Sequence, residues 1–192
     1  MGQNKFRTKI MKRQLQRWVS DASWMVHRNS FQDQEYISCV EDILDSSVFQ
    51  SMNQYIQHGH TTCLEHCVQV SYLSYRICRL YGLDSRAAAR AGLLHDLFLY
   101  DWHTVAKETG NHFHGFTHPR VAMNNAQEHF TLTDKERDMI LKHMWPLTVI
   151  PPKSREGFVL MYADKYCSIA EVGKRVQGGV QRRVIRLAAG RS

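Results

Sequence analysis

Ala87-Ala88-Ala89-Arg90-Ala91-Gly92-Leu93-Leu94-His95-Asp96 is the stretch on which the fold turns. Ala and Leu are strong helix formers, and Ala lets neighbouring helices come close. Such a helix belongs in a core. Yet it ends on an imidazole and a carboxylate side by side, and burying polar groups unpaired costs several kcal/mol. A metal ion would satisfy both. Adjacent His and Asp reach one ion only where helical geometry relaxes, and the following Leu97-Phe98-Leu99-Tyr100-Asp101-Trp102 lacks a clear helical stripe. Taken alone, the dipeptide could equally be chance.

Working outward, the 192 residues fit one domain with a real core. No apolar run approaches the ~20 residues of a membrane span. The N-terminus is basic with no apolar run behind it, so no signal peptide is expected. The five cysteines, Cys39, Cys63, Cys67, Cys78 and Cys167, are odd in number and irregularly spaced. That argues against a secreted disulfide framework and predicts a reducing, cytoplasmic location.

The net charge of +7 is uneven. Residues 1–20 and 174–192 each carry six basic side chains and no acid, leaving the body acidic by five. A dedicated nucleic-acid-binding domain would concentrate Lys and Arg on a folded face. Nucleic acid is therefore not required, although the basic ends could touch anionic partners; the plainer reading is solvated charged ends.

Met11, Leu15, Trp18, Ala22 and Met25 recur at helical spacing and predict an amphipathic helix over 6–25 with a basic opposite face. Packing onto the domain is its expected role. Further helices are expected over Glu35–Leu44 and Val48–Ile56, then a loop at Gln57–Thr61. Thr62 with Glu65 three residues later opens the next helix. It runs to Tyr81 and stops at Gly82. Asp84 or Ser85 caps the helix that leads to His95-Asp96. Residues 97–117 form a long aromatic connection. His118-Pro119 places His118 at a helix entrance, because Pro suits the first helical position. Thr133 caps a helix ending near His143, Ser154–Val172 is a further helix, and Val180–Ala189, after Gly178-Gly179, is a short basic one. No stretch alternates strictly enough for a strand, so the fold class is all-α.

Six polar residues interrupt this apolar scheme: His66, His95, Asp96, His118, His143 and Asp164. Each lies near a helix end or on an otherwise apolar helix. Successive members are separated by about one helix plus its loop, so a bundle could bring them to one centre. Imidazole and carboxylate suit a divalent transition metal, Fe, Mn, Zn, Ni or Co, rather than a structural zinc site.

The order His66, His95-Asp96, Asp164 resembles the HD superfamily of metal-dependent phosphohydrolases. The context agrees: a helix opening with His66, Tyr81-Gly82-Leu83, Ala-Gly-Leu-Leu-His-Asp, and Tyr162-Ala163-Asp164-Lys165. The resemblance covers roughly residues 48–172 and implies an HD-domain helical bundle. It divides the chain into N-terminal helices over 1–47, the HD domain over 48–172 and a basic tail over 173–192. His118 and His143 stand where two-metal members, such as HD-GYP phosphodiesterases and hydrolases of symmetrical dinucleoside tetraphosphates, add histidines. No Gly-Tyr-Pro follows His143, so a cyclic dinucleotide is not implied. No Glu-Asp pair of the (p)ppGpp-hydrolase type follows Asp96.

What the resemblance implies is one or two metal ions and attack by metal-activated water on a small phosphorylated substrate, a nucleotide by preference. Asp96 bridges in the two-ion version, with His66, His95 and Asp164 on one ion and His118 and His143 on the other. A one-ion version uses only His66, His95, Asp96 and Asp164. Lys165 could neutralise substrate phosphate or be a surface lysine. His58 and His60 could approach substrate or act as an acid, or be solvated loop residues. His114 is an alternative to His118. Cys63 and Cys67 flank His66 but lack a second Cys pair, and Asp101 could orient a histidine. Two other functions fit the same residues: a non-catalytic metal-binding sensing or interaction module, and a di-iron oxygenase-type HD protein. The oligomeric state is not legible.

Overall fold

A computed structural model describes residues 33–58, 61–100 and 114–189, and for His58, His114 and 174–189 it describes the backbone alone. The helix expected over 6–25, the tips of the 57–61 loop and most of the 97–117 connection lie outside the described residues. Seven α-helices and one two-stranded hairpin make up the rest. The order is α1 (Gln34–Leu44), α2 (Ser47–Ser51), β1 (Ile56–His58), β2 (Thr61–Thr62), α3 (Cys63–Leu80), α4 (Ser85–Leu94), α5 (His114–His129), α6 (Asp134–Lys142) and α7 (Arg155–Ala189). The all-α class expected from the sequence is the one observed.

Helix starts follow local chemistry. Thr62 and Thr133 each form a capping box with the glutamate three residues on, Glu65 and Glu136. Two of the N–H groups left free at each helix start are thereby satisfied. Asp84 caps α4 through the Ala87 N–H at 3.0 Å. Gly82 ends the α3 turn with φ of 65°, a conformation that favours glycine.

Helix α4 is the axis of the bundle, with every residue from Ala87 to Leu94 buried. Its small side chains admit α3. A Cβ at Gly92 would lie 2.5 Å from the Ser71 Cα. Ser71 spends its hydroxyl proton on the Ala89 carbonyl at 2.6 Å, so the Tyr36 hydroxyl, 2.9 Å away, is the donor to Ser71. Tyr36, Ile43, Phe49, Leu64, Tyr75, Leu93, Leu94 and Met139 fill the core around this contact.

The one charge that α4 buries is Arg90. Its guanidinium meets Asp42 at 2.6 Å and Glu136 at 3.1 Å, and donates to the Cys39 and Thr131 carbonyls. It thus ties α4 to α1 and to the start of α6. Lys135 bridges Asp84 and Glu156, joining the starts of α4, α6 and α7.

Three elements differ from the sequence expectation. The helix expected over 48–56 is α2 followed by a single 3-10 turn, Met52–Gln54, after which Ile56 pairs with Thr62 in the hairpin. Helix α5 begins at His114, so Pro119 lies inside it and His118 is in its second turn rather than at its entrance. Helix α7 runs unbroken through Gly178-Gly179 to Ala189. Glycine costs a helix only about 1 kcal/mol relative to alanine, a preference that neighbouring residues can override.

Candidate metal centre

The six polar residues singled out in the sequence are all buried, and they converge. His66 comes from the first turn of α3. His95 is the C-cap of α4 and Asp96 follows it in a turn. The chain leaves helical geometry there: the Leu97 N–H reaches the Leu94 carbonyl at 3.2 Å and Leu99 is left-handed at φ 58°. That break is what lets two adjacent side chains face one centre. The Asn125 amide holds the turn by donating to the Leu97 carbonyl at 2.8 Å. His118 comes from α5, His143 from the C-cap of α6, and Asp164 from α7.

Asp96 sits in the middle. Its Oδ2 lies 3.5 Å from His95 Nε2, and its Oδ1 lies 3.2 Å from His118 Nε2 and 3.6 Å from His143 Nε2. Asp164 Oδ1 lies 3.1 Å from His66 Nε2 and 3.6 Å from His95 Nε2. His118 and His143 bring their Nε2 atoms to 2.9 Å of each other.

The tautomers of two rings are settled by backbone. His95 Nδ1 is 2.9 Å from the Gly92 carbonyl, and His143 Nδ1 is 2.8 Å from the Ile140 carbonyl. A carbonyl only accepts, so both Nδ1 atoms carry a proton and both Nε2 atoms face the carboxylates. The device is the same in each case. A helix C-terminus leaves carbonyls without helical partners, and the capping imidazole takes the one three residues back.

The electrostatics follow. Burial alone would pull the His66 and His95 pKa values down. The carboxylates outweigh it: Asp164 and Glu171 hold His66, and chiefly Asp96 holds His95, well above the ordinary histidine value. Burial would raise Asp96 and Asp164, yet the imidazoles around them keep both well below the usual carboxylate range. His143 goes the other way. Burial and the charges of His95 and His118 push it down to about 3, so it is neutral.

Three overlapping groups could each hold a metal ion: His66, His95 and Asp96; His95, His143 and Asp164; Asp96, His118 and His143. Within each group the ligand atoms lie within 4.8 Å of one another. Two ligands at about 2.1 Å from one ion sit about 3–3.4 Å apart, close to the separations here. His95 Nε2 and Asp96 Oδ1 are buried with no hydrogen-bond partner, which is the deficit a cation would fill. The donor set therefore fits a transition metal.

Around the cluster, Gln57 on β1 donates to Asp96 Oδ2 at 2.6 Å, and the Cys63 thiol donates to Gln57 Oε1. Glu171 on α7 stands behind His66, with Oε1 3.1 Å from Nδ1. Cys67 touches His95 Nδ1 through its thiol at 3.9 Å, and burial pushes that thiol up to about 12. Lys165 donates to the His143 carbonyl at 3.3 Å, and burial lowers its pKa. It is thus beside the cluster rather than on the open surface. His58 is in β1, next to Gln57, with its side chain outside the described residues, as are His60, Asp101 and the side chain of His114.

Gln57 and Glu171 were not singled out in the sequence. Glu171 carried one faint signal: seven residues after Asp164, it shares that residue's helix face. Gln57 carried none.

The family model for the HD domain matches residues 63–169, more than half of the chain. The chain belongs to the HD domain family. HD proteins are in general metal-dependent phosphohydrolases, and His66, His95, Asp96 and Asp164 of this HD domain all fall inside the matched span. Comparison with curated proteins and with solved structures returned no match. Among the described residues of this HD protein, no helix is long and apolar enough to cross a membrane.

Proposed function

We propose that this HD protein is a phosphohydrolase that uses two transition-metal ions on a nucleotide or another small phosphate ester. The observation that carries the two-ion reading is the division of Asp96. One of its oxygens faces His95, and the other faces His118 and His143. Asp96 would bridge, with His66, His95 and Asp164 holding one ion and His118 and His143 the other. The chemistry such ions supply is polarisation of a phosphoryl group and a near-neutral pKa for water held beside it.

The chain's own residues have the remaining work. The backbone carbonyls of Gly92 and Ile140 orient two imidazoles, and Gln57 orients Asp96. The hairpin that brings Gln57 to Asp96 also carries His58, which is our candidate for contact with substrate or for proton delivery to the leaving group. Lys165, anchored on the His143 carbonyl, is the candidate counter-charge for phosphate. The five buried, free cysteines support a reducing, cytoplasmic setting for this activity.

The test is metal analysis of protein purified without added metal, followed by a screen of nucleotides and phosphate esters. About two ions per chain in the wild type, and about one in His143→Ala, is the expected result for a bridged pair. Retention of the full metal content in His143→Ala would reduce the centre to one ion. Bound iron without phosphatase activity would turn the reading toward oxygen chemistry.

Metal binding should also depend on pH with a definite sign. In the metal-free protein His66 and His95 hold extra protons that a metal must displace, so affinity rises with pH past the ordinary histidine value of about 6.5. The raised histidines stabilise the metal-free fold fully below about pH 6.5, and that contribution fades as pH climbs through their folded values. The depressed Asp96 and Asp164 stabilise it above about pH 4, a contribution lost in acid. The rise in Tm on adding Mn²⁺ should therefore be larger at pH 8 than at pH 6. A shift that shrinks with pH would contradict the protonation pattern.

A further inference from the structure

His66 differs from the other two oriented rings. His95 and His143 close helices, where free backbone carbonyls accept from Nδ1. His66 lies in the first turn of α3, and a helix start leaves N–H groups free, not carbonyls. Its Nδ1 needs an acceptor from elsewhere. Glu171 supplies one from α7, 105 residues away in sequence, at 3.1 Å. The carboxylate is buried, and its second oxygen has no hydrogen-bond partner. A solvent-facing glutamate would avoid that cost; burying a carboxylate without full partnership is unfavourable by several kcal/mol.

We propose that Glu171 is a positioning residue: it accepts the Nδ1 proton of His66 and so aims the Nε2 lone pair at the metal centre. This rests on the metal-centre reading above. Asp164 and Glu171 lie two turns apart on one face of α7 and grip His66 from its two nitrogens. One helix thus provides both a ligand and the group that orients another ligand. Carboxylates behind ligating imidazoles fix the ring and raise its basicity, and losing such a partner weakens metal binding about 10–100-fold.

The experiment compares metal-free full-length wild type, Glu171→Gln and Glu171→Leu. Zn²⁺ affinity is read by competition with a chromophoric chelator, alongside the Tm of each metal-free protein and the NMR shift of the His66 Nδ1–H with Zn²⁺ bound. Glu171→Leu should lose about 10–100-fold in affinity, and the Nδ1–H of its Zn²⁺-bound His66 should lose the downfield shift that a hydrogen bond to a carboxylate gives. Glu171→Gln keeps an oxygen that accepts from Nδ1, so it should retain most of the affinity and much of that shift. Equal affinity in all three proteins would overturn the proposal, as would a fall in Tm with affinity unchanged, which is the mark of a packing role. A loss in Glu171→Gln as large as in Glu171→Leu would also overturn it. Failure of the wild type to bind Zn²⁺ would instead defeat the metal-centre reading itself.

Discussion

Asp96→Ala is expected to empty the centre of metal and to lower phosphatase activity by about 10³-fold or more. The figure follows from the several kcal/mol that metal ions contribute to transition-state charge stabilisation, at about 1.4 kcal/mol per decade of rate. Asp96 stands between His95 on one side and the His118–His143 pair on the other. Its two oxygens face His95, His118 and His143, and Gln57 holds it in place. Removing it leaves three imidazoles facing one another with only Asp164, beside His95, to offset them. Asp96→Asn is the companion variant, because it keeps the shape and a donor-acceptor pair for Gln57 while losing the charge. Elemental analysis and turnover of a phosphate ester should fall together in both. Wild-type metal content in either variant would remove Asp96 from the centre.

Much of this arrangement was legible in the sequence because helix ends are written locally. Thr62 with Glu65 and Thr133 with Glu136 announce where α3 and α6 begin, and the Ala-rich run announces a helix packed on all sides. Once the ends are known, His66, His95 and His143 fall at termini. The illegible parts depend on contacts across the fold. The hairpin pairs only a few residues and shifts register between Ile56 and His58, so it leaves no alternating pattern. Pro119 suggests a helix start because proline suits the first turn, yet α5 gathers one more turn ahead of it. Gln57 reaches Asp96 across 39 residues and Glu171 reaches His66 across 105. Neither has a spacing that declares its partner.

Arg90→Ala is expected to destabilise the fold by about 3–5 kcal/mol. The cost does not come from Asp42, which is half exposed and screened by water. It comes from Glu136, whose side chain is only 4% exposed and would be left charged in the core. Glu136 cannot simply turn away, because its other oxygen closes the capping box with Thr133. Arg90→Lys should recover only part of the loss, since an ammonium lacks the fork that reaches Glu136, Asp42 and two carbonyls together. Glu136→Gln tests the cause directly: it keeps the cap but removes the stranded charge. The double variant Arg90→Met/Glu136→Gln should therefore be more stable than Arg90→Met alone, as measured by urea midpoints. If adding Glu136→Gln brought no recovery, the loss would lie in packing around α4 rather than in the ion pair. The same pair bears on the centre, because α4 and α6 end in His95 and His143, whose rings sit 4.9 Å apart. Loosening the clamp between these helices should lower the stability of the metal-free protein, whereas Glu171→Leu should lower metal affinity, and the two effects separate scaffold from site.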